Sequence, residues 1–299
     1  MAFRITHSAS HSRRVASMNN SLIMMDRVER QLSSGRRFER PGEAPESAGR
    51  VLRIGRKQGD IATYSQNVEA GRGMLSRAES AVVALSGVIN SARSLALKMS
   101  DSFYDGERTS QVDLASGLID SGLNLLNTTY DDMHIFGGHQ NASPPYELDG
   151  GGLAQYNGDG GLMELDVSEG GRSFVTLDPA THFNGAGGGE DLLGLLVELR
   201  DQMSADSQVG VAATLNRFEV AVSQLSRSAA AIGTLYQRLD VHEGINEVQD
   251  VELGRLRSTI EDTDYAEAAA TLSLRQTAYQ ASLAATARVQ GLSLLNFMR

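Results

Sequence analysis

The sequence predicts a mainly α-helical chain with a small β insertion, whose N- and C-terminal halves form a long antiparallel helical bundle or coiled coil. Three observations support this fold class. Apolar residues recur every seven positions in the first half, and they recur in steps of four and three in the second half. The segment between them is rich in glycine and contains short alternating stretches. Paired apolar seams on a helix require neighbouring helices to cover them.

The clearest helical pattern lies between Ile54 and Met99. One seam keeps a seven-residue step throughout, and a second runs three residues out of phase with it. The two seams are Ile54, Ile61, Val68, Leu75, Val82, Ile89 and Ala96, and Tyr64, Gly71, Ala78, Leu85, Ala92 and Met99. Pro41 and Pro45 precede the pattern and resist helix interiors, so we expect a break in the chain around them.

Two further helical patterns follow. A second helix is predicted after Asp105-Gly106, and its apolar face consists of Val112, Ile119, Leu123, Leu126, Tyr130 and Met133. A third runs through Val211, Leu215, Phe218, Val222, Leu225, Ala229, Ile232, Tyr236 and Leu239. It continues more weakly through Leu253, Leu256 and Ile260. Apolar steps of three and four place these residues on one helix face.

The middle of the chain, residues 136–189, has a different character. It contains Pro144-Pro145 and a run of three glycines at 150–152, which indicate turns. Residues 162–167 and 172–177 alternate between apolar and polar and are predicted to be strands. Asp191, which follows further glycines, is interpreted as the N-terminal charge of the next helix.

Both ends of the chain carry helical apolar stripes, and the C-terminal one occupies two faces. A helix with two apolar faces needs neighbours on both sides. Ordering some eighty terminal residues costs on the order of 100 kcal/mol, which two projecting helices alone would not offset. We therefore expect an interface between copies, although the ends could instead fold back on their own bundle. The predicted interface residues are Val15, Met18, Leu22, Met25, Leu32, Leu272, Tyr279, Leu283, Leu292 and Leu295.

Composition excludes several classes of function. The net charge is −10, whereas nucleic-acid binding needs clustered basic residues. The one basic cluster, Arg36, Arg37 and Arg40, could equally be a solvated loop or a specific contact. The chain has no cysteine, which excludes disulfides, thiolate metal sites and cysteine nucleophiles. No secretory signal peptide is recognisable, and no run approaches the ~20 apolar residues of a membrane span.

No catalytic, cofactor or metal site is predicted, and the chain is not expected to be an enzyme. His134 and His139 lie near two aspartates, but no third ligand follows at a matching spacing. Asp159 is interpreted as a turn residue because the other oxygens of a calcium loop are missing. The glycines at 187–189 lack the Gly-Lys-Ser/Thr ending of a phosphate loop, and no Gly-x-Ser-x-Gly elbow is present.

The terminal sequences closely resemble those of bacterial flagellins and their hook-associated relatives. On the C-terminal side the resemblance covers residues 260–283 and continues to 295. On the N-terminal side it covers Gln31-Leu-Ser-Ser-Gly35-Arg-Arg and the stretch from Pro41 to Ala48. That stretch departs from the Asp-Asp-Pro-Ala type of sequence usual in flagellins.

Within that superfamily the chain most resembles the hook-associated protein 3 family of hook–filament junction proteins. The similarity lies in Ile135-Phe136-Gly137-Gly138, in Pro145-Tyr146 and in Tyr156-Asn-Gly-Asp159, with Phe174 and Phe183 expected on later strands. This resemblance implies a flagellin-like layered architecture. Residues 1–45 and 255–299 would form an inner terminal coiled-coil layer. Residues 46–135 and 190–254 would form a helical rod, and 136–189 an outer β domain.

The resemblance also implies a location and partners. Such proteins leave the cytoplasm unfolded by flagellar type III export, without a cleaved signal peptide, and become part of the extracellular flagellum. The expected partners are other copies in a ring layer, the hook-side junction protein, flagellin, an export chaperone and the export apparatus. Two alternatives stay open: a short flagellin that forms the filament itself, and, in another class, a soluble coiled-coil signalling module.

Overall fold

The computed structural model describes the backbone of residues 2–297 and the side chains of residue 9 and of residues 12–288. The helices are α1 (Ala2–Ser34), α2 (Pro45–Met99), α3 (Val112–Leu126), α4 (Pro179–His182), α5 (Leu192–Ser204), α6 (Gln208–Glu261) and α7 (Tyr265–Phe297). Six short strands form three antiparallel hairpins: β1 (Thr129–Tyr130) with β2 (Met133–His134), β3 (Tyr146–Leu148) with β4 (Ala154–Tyr156), and β5 (Glu164–Ser168) with β6 (Gly171–Phe174). The predicted fold class, mainly α with a small β insertion, is confirmed.

The chain divides into two compact units. One combines Met1–Gly59 with Asp250–Arg299, and the other is Asp60–Gln249. The first contains the packed pair of α1 and α7. The second contains the three hairpins, α3 and α5 and the main hydrophobic core.

Helix α2 carries the two predicted seams. Every member of both is buried except Tyr64, which is half-buried. Its antiparallel partner within the second unit is α6. Arg93 Nη2 donates to Glu219 Oε1 at 2.5 Å, and Arg72 Nη2 donates to Glu243 Oε2 at 2.6 Å. The earlier residue on α2 pairs with the later residue on α6, so the two helices are antiparallel, as the sequence predicts.

One row of the α6 seam is shifted from its prediction. The row at Val211, Phe218, Leu225, Ile232 and Leu239 is buried as predicted. The second buried row is Thr214, Ala221, Ser228 and Leu235, each one residue before the predicted Leu215, Val222, Ala229 and Tyr236. Ala229 is exposed. The hydroxyls of Thr214 and Ser228 donate to carbonyls of their own helix, at 2.7 and 3.0 Å, so burial leaves no unpaired donor.

Helix α3 ends earlier than predicted. It stops at Leu126, and Tyr130 and Met133 lie on the β1–β2 hairpin rather than on the helix. Asn127 explains the ending, since its amide donates to Tyr146 O at 2.8 Å and accepts from Tyr146 N at 3.0 Å. Asp131 and Asp132 have φ of 51° and 62°, which permits the two-residue hairpin turn.

The two strands predicted around 162–167 and 172–177 correspond to β5 and β6. Phe174 lies on β6 as expected, but Phe183 does not lie on a strand. It follows α4, which Asp178 caps by accepting from Ala180 N at 3.1 Å. The ring of Phe183 packs edge-to-face on Phe136 at 4.8 Å between centroids, and both rings are buried. This N-cap, formed by Asp178 ahead of Pro179, therefore turns the chain so that the Phe183 ring enters the core.

A buried arginine closes the loop between α2 and α3. Arg108 is 1% exposed, and its guanidinium donates to Met99 O at 2.7 Å and to Asp101 O at 3.0 Å. It also pairs with Asp105 at 2.7 Å and with Asp206, in the α5–α6 turn, at 3.0 Å. The charge is thus satisfied on every side, as burial of a cation requires.

By length and composition alone, α2 also contains a window apolar enough to cross a membrane. Within the fold, 39% of that window is buried, and the core helix of a globular protein meets the same criterion.

Candidate assembly surface of the terminal helices

The terminal helices α1 and α7 pack against each other but cover little of their own surface. Each has 33 residues. Among their described side chains, Val28 alone is buried on α1 and Ala268 alone on α7. Helices in globular proteins owe most of their stability to burying an apolar face. A pair that buries so little has apolar surface available for further helices.

That surface consists of large apolar side chains on both helices. On α1, Ile23 is 63% exposed and its neighbours Leu22 and Met24 are each 42% exposed. On α7, Leu274 is 71% exposed. Isolated exposed leucines are ordinary, but a series of them along two adjacent helices is typical of an interaction site. The described members are Val15, Leu22, Ile23, Met24, Leu274 and Leu283.

The ten predicted interface residues fall into three groups in the structure. Five are half-buried by the pairing of the terminal helices: Met18, Met25, Leu32, Leu272 and Tyr279. Three remain exposed at 42%: Val15, Leu22 and Leu283. The side chains of Leu292 and Leu295 lie outside the described residues. The half-buried group recurs at steps of seven, which is the spacing of a two-helix seam.

Ile23 and Met24 were not predicted as surface residues. The signal for them was the uninterrupted run Leu22-Ile23-Met24-Met25. At about 100° per residue, four consecutive residues point in directions spread over about 300° of the helix circumference, so such a run is apolar on nearly every side. Because only one stripe of the helix was chosen as the predicted interface, Leu22 and Met25 were included and the two residues between them were not.

A pair of loops joins α1 to α2 and α6 to α7, and the two loops bind each other. Arg37 N donates to Glu261 O at 2.7 Å, and Thr263 N donates to Gly35 O at 2.8 Å. Gly35 has φ of 73°, a conformation that favours glycine, and it ends α1 by donating to Gln31 O at 2.9 Å. The two chain segments that connect α1 and α7 to the rest of the protein therefore lie side by side.

Buried charge reinforces this loop pair. Glu261 is 7% exposed, and its carboxylate lies between Arg36 Nη1 at 3.1 Å and Arg257 Nε at 2.8 Å. Of the two readings of the basic cluster, the specific contact is correct for Arg36. In the same loop, a hydrogen bond from Glu39 N lowers the pKa of the Glu43 carboxyl group.

Beside the loop pair lies a groove of about 550 Å³. Arg27 and Arg37 line it together with Asp264 and Glu267. Both signs of charge are present, so the groove offers no electrostatic preference for an anion or a cation. It carries a mixed polar surface rather than a site for one charged ligand.

Other candidate residues have structural roles. Among the described residues, no group of three or more His, Asp or Glu side chains is placed to bind a metal ion. Asp159 is a turn residue as predicted, since its Oδ1 accepts from His139 N at 2.8 Å and Gly161 N at 2.9 Å. These bonds lower the pKa of Asp159. Asp191 caps α5 by accepting from Gly194 N at 3.0 Å, which confirms its predicted position.

Two family profiles match the chain. The profile of the bacterial flagellin N-terminal helical region matches residues 5–141, and that of the bacterial flagellin C-terminal helical region matches residues 215–298. Together they cover about three quarters of the chain, including both terminal helices and the helices that follow or precede them. Comparison with curated protein sequences gave no significant match.

Several solved structures share the fold. A Vibrio parahaemolyticus protein, provisionally assigned as a flagellar hook-associated protein, has a TM-score of 0.67 at 18% identity, covering 74% of this chain and 100% of its own. Flagellar hook-associated protein 3 from Legionella pneumophila has a TM-score of 0.60 at 13% identity, covering 70% and 99%. FlgL from Bacillus cereus has a TM-score of 0.57 at 14% identity, covering 69% and 99%.

Proposed function

Since the chain belongs to the flagellin family, we propose that it is a structural subunit of the bacterial flagellum that forms the junction between hook and filament. The observation that carries this proposal is the apolar surface of α1 and α7. Two long helices bury one described side chain each and expose large apolar residues over much of their length. Packing among copies would remove that surface from water at about 25 cal/mol per Å².

The proposal assigns the layers as the sequence suggested. Residues 1–45 and 255–299 form the inner coiled-coil layer, 46–135 and 190–254 the helical rod, and 136–189 the outer β domain. The partners are other copies in a ring layer, the hook-side junction protein and flagellin. An export chaperone and the type III export apparatus act before assembly, and the assembled protein is extracellular. No catalytic role is assigned to any residue.

The junction role, rather than the filament role, is supported by the kind of structures that share the fold. The three solved chains named above are described as hook-associated or FlgL proteins. A short flagellin is the alternative within the same family. The two differ in amount, because a filament consists almost wholly of one subunit and a junction contributes a minor component.

Quantitative mass spectrometry of isolated flagella separates these roles. We expect this chain to be a minor component relative to the major filament protein. Finding it as the dominant protein would overturn the junction role and leave the short-flagellin alternative. Its absence from isolated flagella would overturn the flagellar assignment itself.

Single charges on the terminal helices test the assembly surface. We expect Leu22→Asp and Leu283→Asp to abolish motility in a strain that depends on this chain, because each would bury an unpaired carboxylate in the inner layer. Both side chains are 42% exposed in the monomer, so the thermal unfolding of the purified variants should stay within about 0.5 kcal/mol of the wild type. Val83→Asp, at a 62% exposed site on α2, is the matched control and should retain motility. Normal motility of both terminal variants would refute the inner-layer assignment.

A further inference from the structure

One side of α6, in its C-terminal part, carries apolar residues that lie largely in solvent. Ile245, Val248 and Val251 recur at steps of three, and they are 41%, 70% and 50% exposed. Residues three apart are neighbours on a helix surface, so the three form one row. We call this row the α6 ridge. Single exposed apolar residues are ordinary, but a row of β-branched ones is typical of a surface on which another element packs.

The α6 ridge points away from α2, the helix on which this part of α6 packs. Gln58 Nε2 of α2 donates to Asp250 Oδ1 of α6 at 3.0 Å, so Asp250 faces α2 and lies at the same level as Gln58. At about 100° per residue, Val248 points about 200° around the helix from Asp250. Val248 therefore lies on the side of α6 opposite α2, which agrees with its exposure.

The side of α2 opposite α6 is open at this level. Arg56 lies two residues before Gln58, so it points away from α6 by the same geometry. Gly55 precedes it and Gly59 follows it by three residues, and a Cβ on either glycine would meet nothing within 4 Å. Glycine within a helix costs stability, and no described neighbour requires it at these two positions. The glycines leave the α2 backbone accessible to side chains that approach from outside the chain.

The two outward sides also carry opposite charges at one level. Among the described residues, Arg56 of α2 and Glu252 of α6 form no ion pair and no side-chain hydrogen bond, and both are exposed. Because the helices are antiparallel, two residues before Gln58 on α2 is level with two residues after Asp250 on α6. Arg56 and Glu252 therefore share a level, although they face opposite ways. Such complementarity directs association and rejects wrong partners.

We propose that the α6 ridge of one copy packs on the two glycines of α2 in the next copy, with Glu252 paired to Arg56. Copies that stand side by side at one height bring these sides together, because the sides face opposite ways and lie at the same level. The contact joins different surfaces of identical chains, so it is heterologous, and contacts of this kind generate closed rings or helical assemblies. The inference rests on the proposed function and adds a lateral contact outside the terminal helices.

Engineered disulfides test this contact, because the chain has no cysteine of its own. Flagella are isolated from cells that make both Arg56→Cys and Glu252→Cys copies and are then oxidised, and linked peptides are identified by mass spectrometry. Each copy carries a single cysteine, so every disulfide joins two copies. Since a disulfide needs Cα atoms about 4.4–6.8 Å apart, we expect a bond between positions 56 and 252 only where the two helices meet.

Val83→Cys in place of Arg56→Cys is the matched control. Val83 is 62% exposed on α2 but lies about 40 Å further along the helix at about 1.5 Å per residue, so it should not link to position 252. Flagella that contain both cysteine variants and show no bond between positions 56 and 252 would overturn the contact and leave the proposed function intact. Flagella that lack the wild-type chain would overturn the proposed function, and this contact with it.

A charge exchange gives a second test that needs no cysteine. Arg56→Glu and Glu252→Arg each place like charges together at every contact between copies, so each should reduce the number of filaments per cell by about threefold or more. The double variant restores opposite charges and should recover most of the loss. Both sites are exposed, so the purified single variants should melt like the wild type. Unchanged filament numbers in both single variants, or a double variant no better than the worse single one, would refute the pairing.

Discussion

Replacing Arg108 by methionine should destabilise the second compact unit strongly, although the substitution keeps much of the side-chain length. The arginine donates to two backbone carbonyls and pairs with two carboxylates, while only 1% of it is exposed. Bonds from a charged donor contribute about 1.5–3 kcal/mol each, and breaking a buried ion pair costs about 3–5 kcal/mol. Asp105 and Asp206 are 63% and 36% exposed, so both can regain water when the arginine is lost.

Allowing for that rehydration, we expect Arg108→Met to cost about 3–5 kcal/mol. At about 2–4 °C per kcal/mol for a unit of this size, the melting temperature should fall by roughly 6 to 20 °C. Circular dichroism of the helices during heating and during urea unfolding measures both quantities. Lysine at this position should recover little, because one ammonium group cannot reproduce the planar set of guanidinium donors.

Arg93→Met is the matched control. Arg93 pairs with Glu219, but their side chains are 45% and 62% exposed, and such surface pairs contribute about 0–1 kcal/mol. If Arg108→Met loses no more stability than Arg93→Met, the inference that Arg108 holds the loop closed is wrong. A loss confined to Arg108→Met would support it.

Three further predictions concern the rest of the fold. Gly71→Ala should lower the free energy of unfolding in urea by about 1–3 kcal/mol, because a Cβ there would lie 2.8 Å from Val175 Cγ1. Gly87 lies on the same helix with open space around it, so Gly87→Ala should raise that free energy by up to about 1 kcal/mol. Burial raises the pKa of the Tyr146 phenol, so ultraviolet titration should find it protonated when exposed tyrosines have ionised. Since the unfolded chain loses this proton above its ordinary pKa near ~10, stability should fall as pH rises beyond that value. The fall should be smaller in Tyr146→Phe, where burial still raises the pKa of Tyr156 and Tyr236, and an equally steep fall would contradict the role of Tyr146. Glu261→Gln should cost about 1–2 kcal/mol, since two partly exposed arginines lose a buried carboxylate; an unchanged melting curve would contradict this.

The long helices were predictable because their apolar spacing is regular. The α2 seams follow from sequence alone, since Leu75 and Ile89 have no alternative position on a helix of that register. Features that depend on distant partners were not predictable. Asn127 ends α3 by binding Tyr146, nineteen residues later, and no local signal shows that bond. The shifted row of α6 was missed because Ser228, a polar residue, is buried by bonding its own helix.

The assembly surface was predictable in outline only. Periodicity identified the terminal stripes, but it could not tell a seam covered within the chain from one left open. Met25 and Leu22 belong to the same predicted stripe, yet Met25 is half-buried and Leu22 is exposed. The difference depends on where α7 lies, and α7 is encoded more than two hundred residues away.

The same separation has a kinetic consequence during synthesis. The segment of α1 is made early, but its partner α7 follows α6 and is the last helix of the described chain to leave the ribosome. Contacts between segments so far apart form slowly even in a complete chain. While the chain grows, the apolar residues of α1 have no partner in α7. A protein that binds nascent chains can therefore reach α1 well before α7 can. The timing of translation decides whether that protein or α7 binds α1 first.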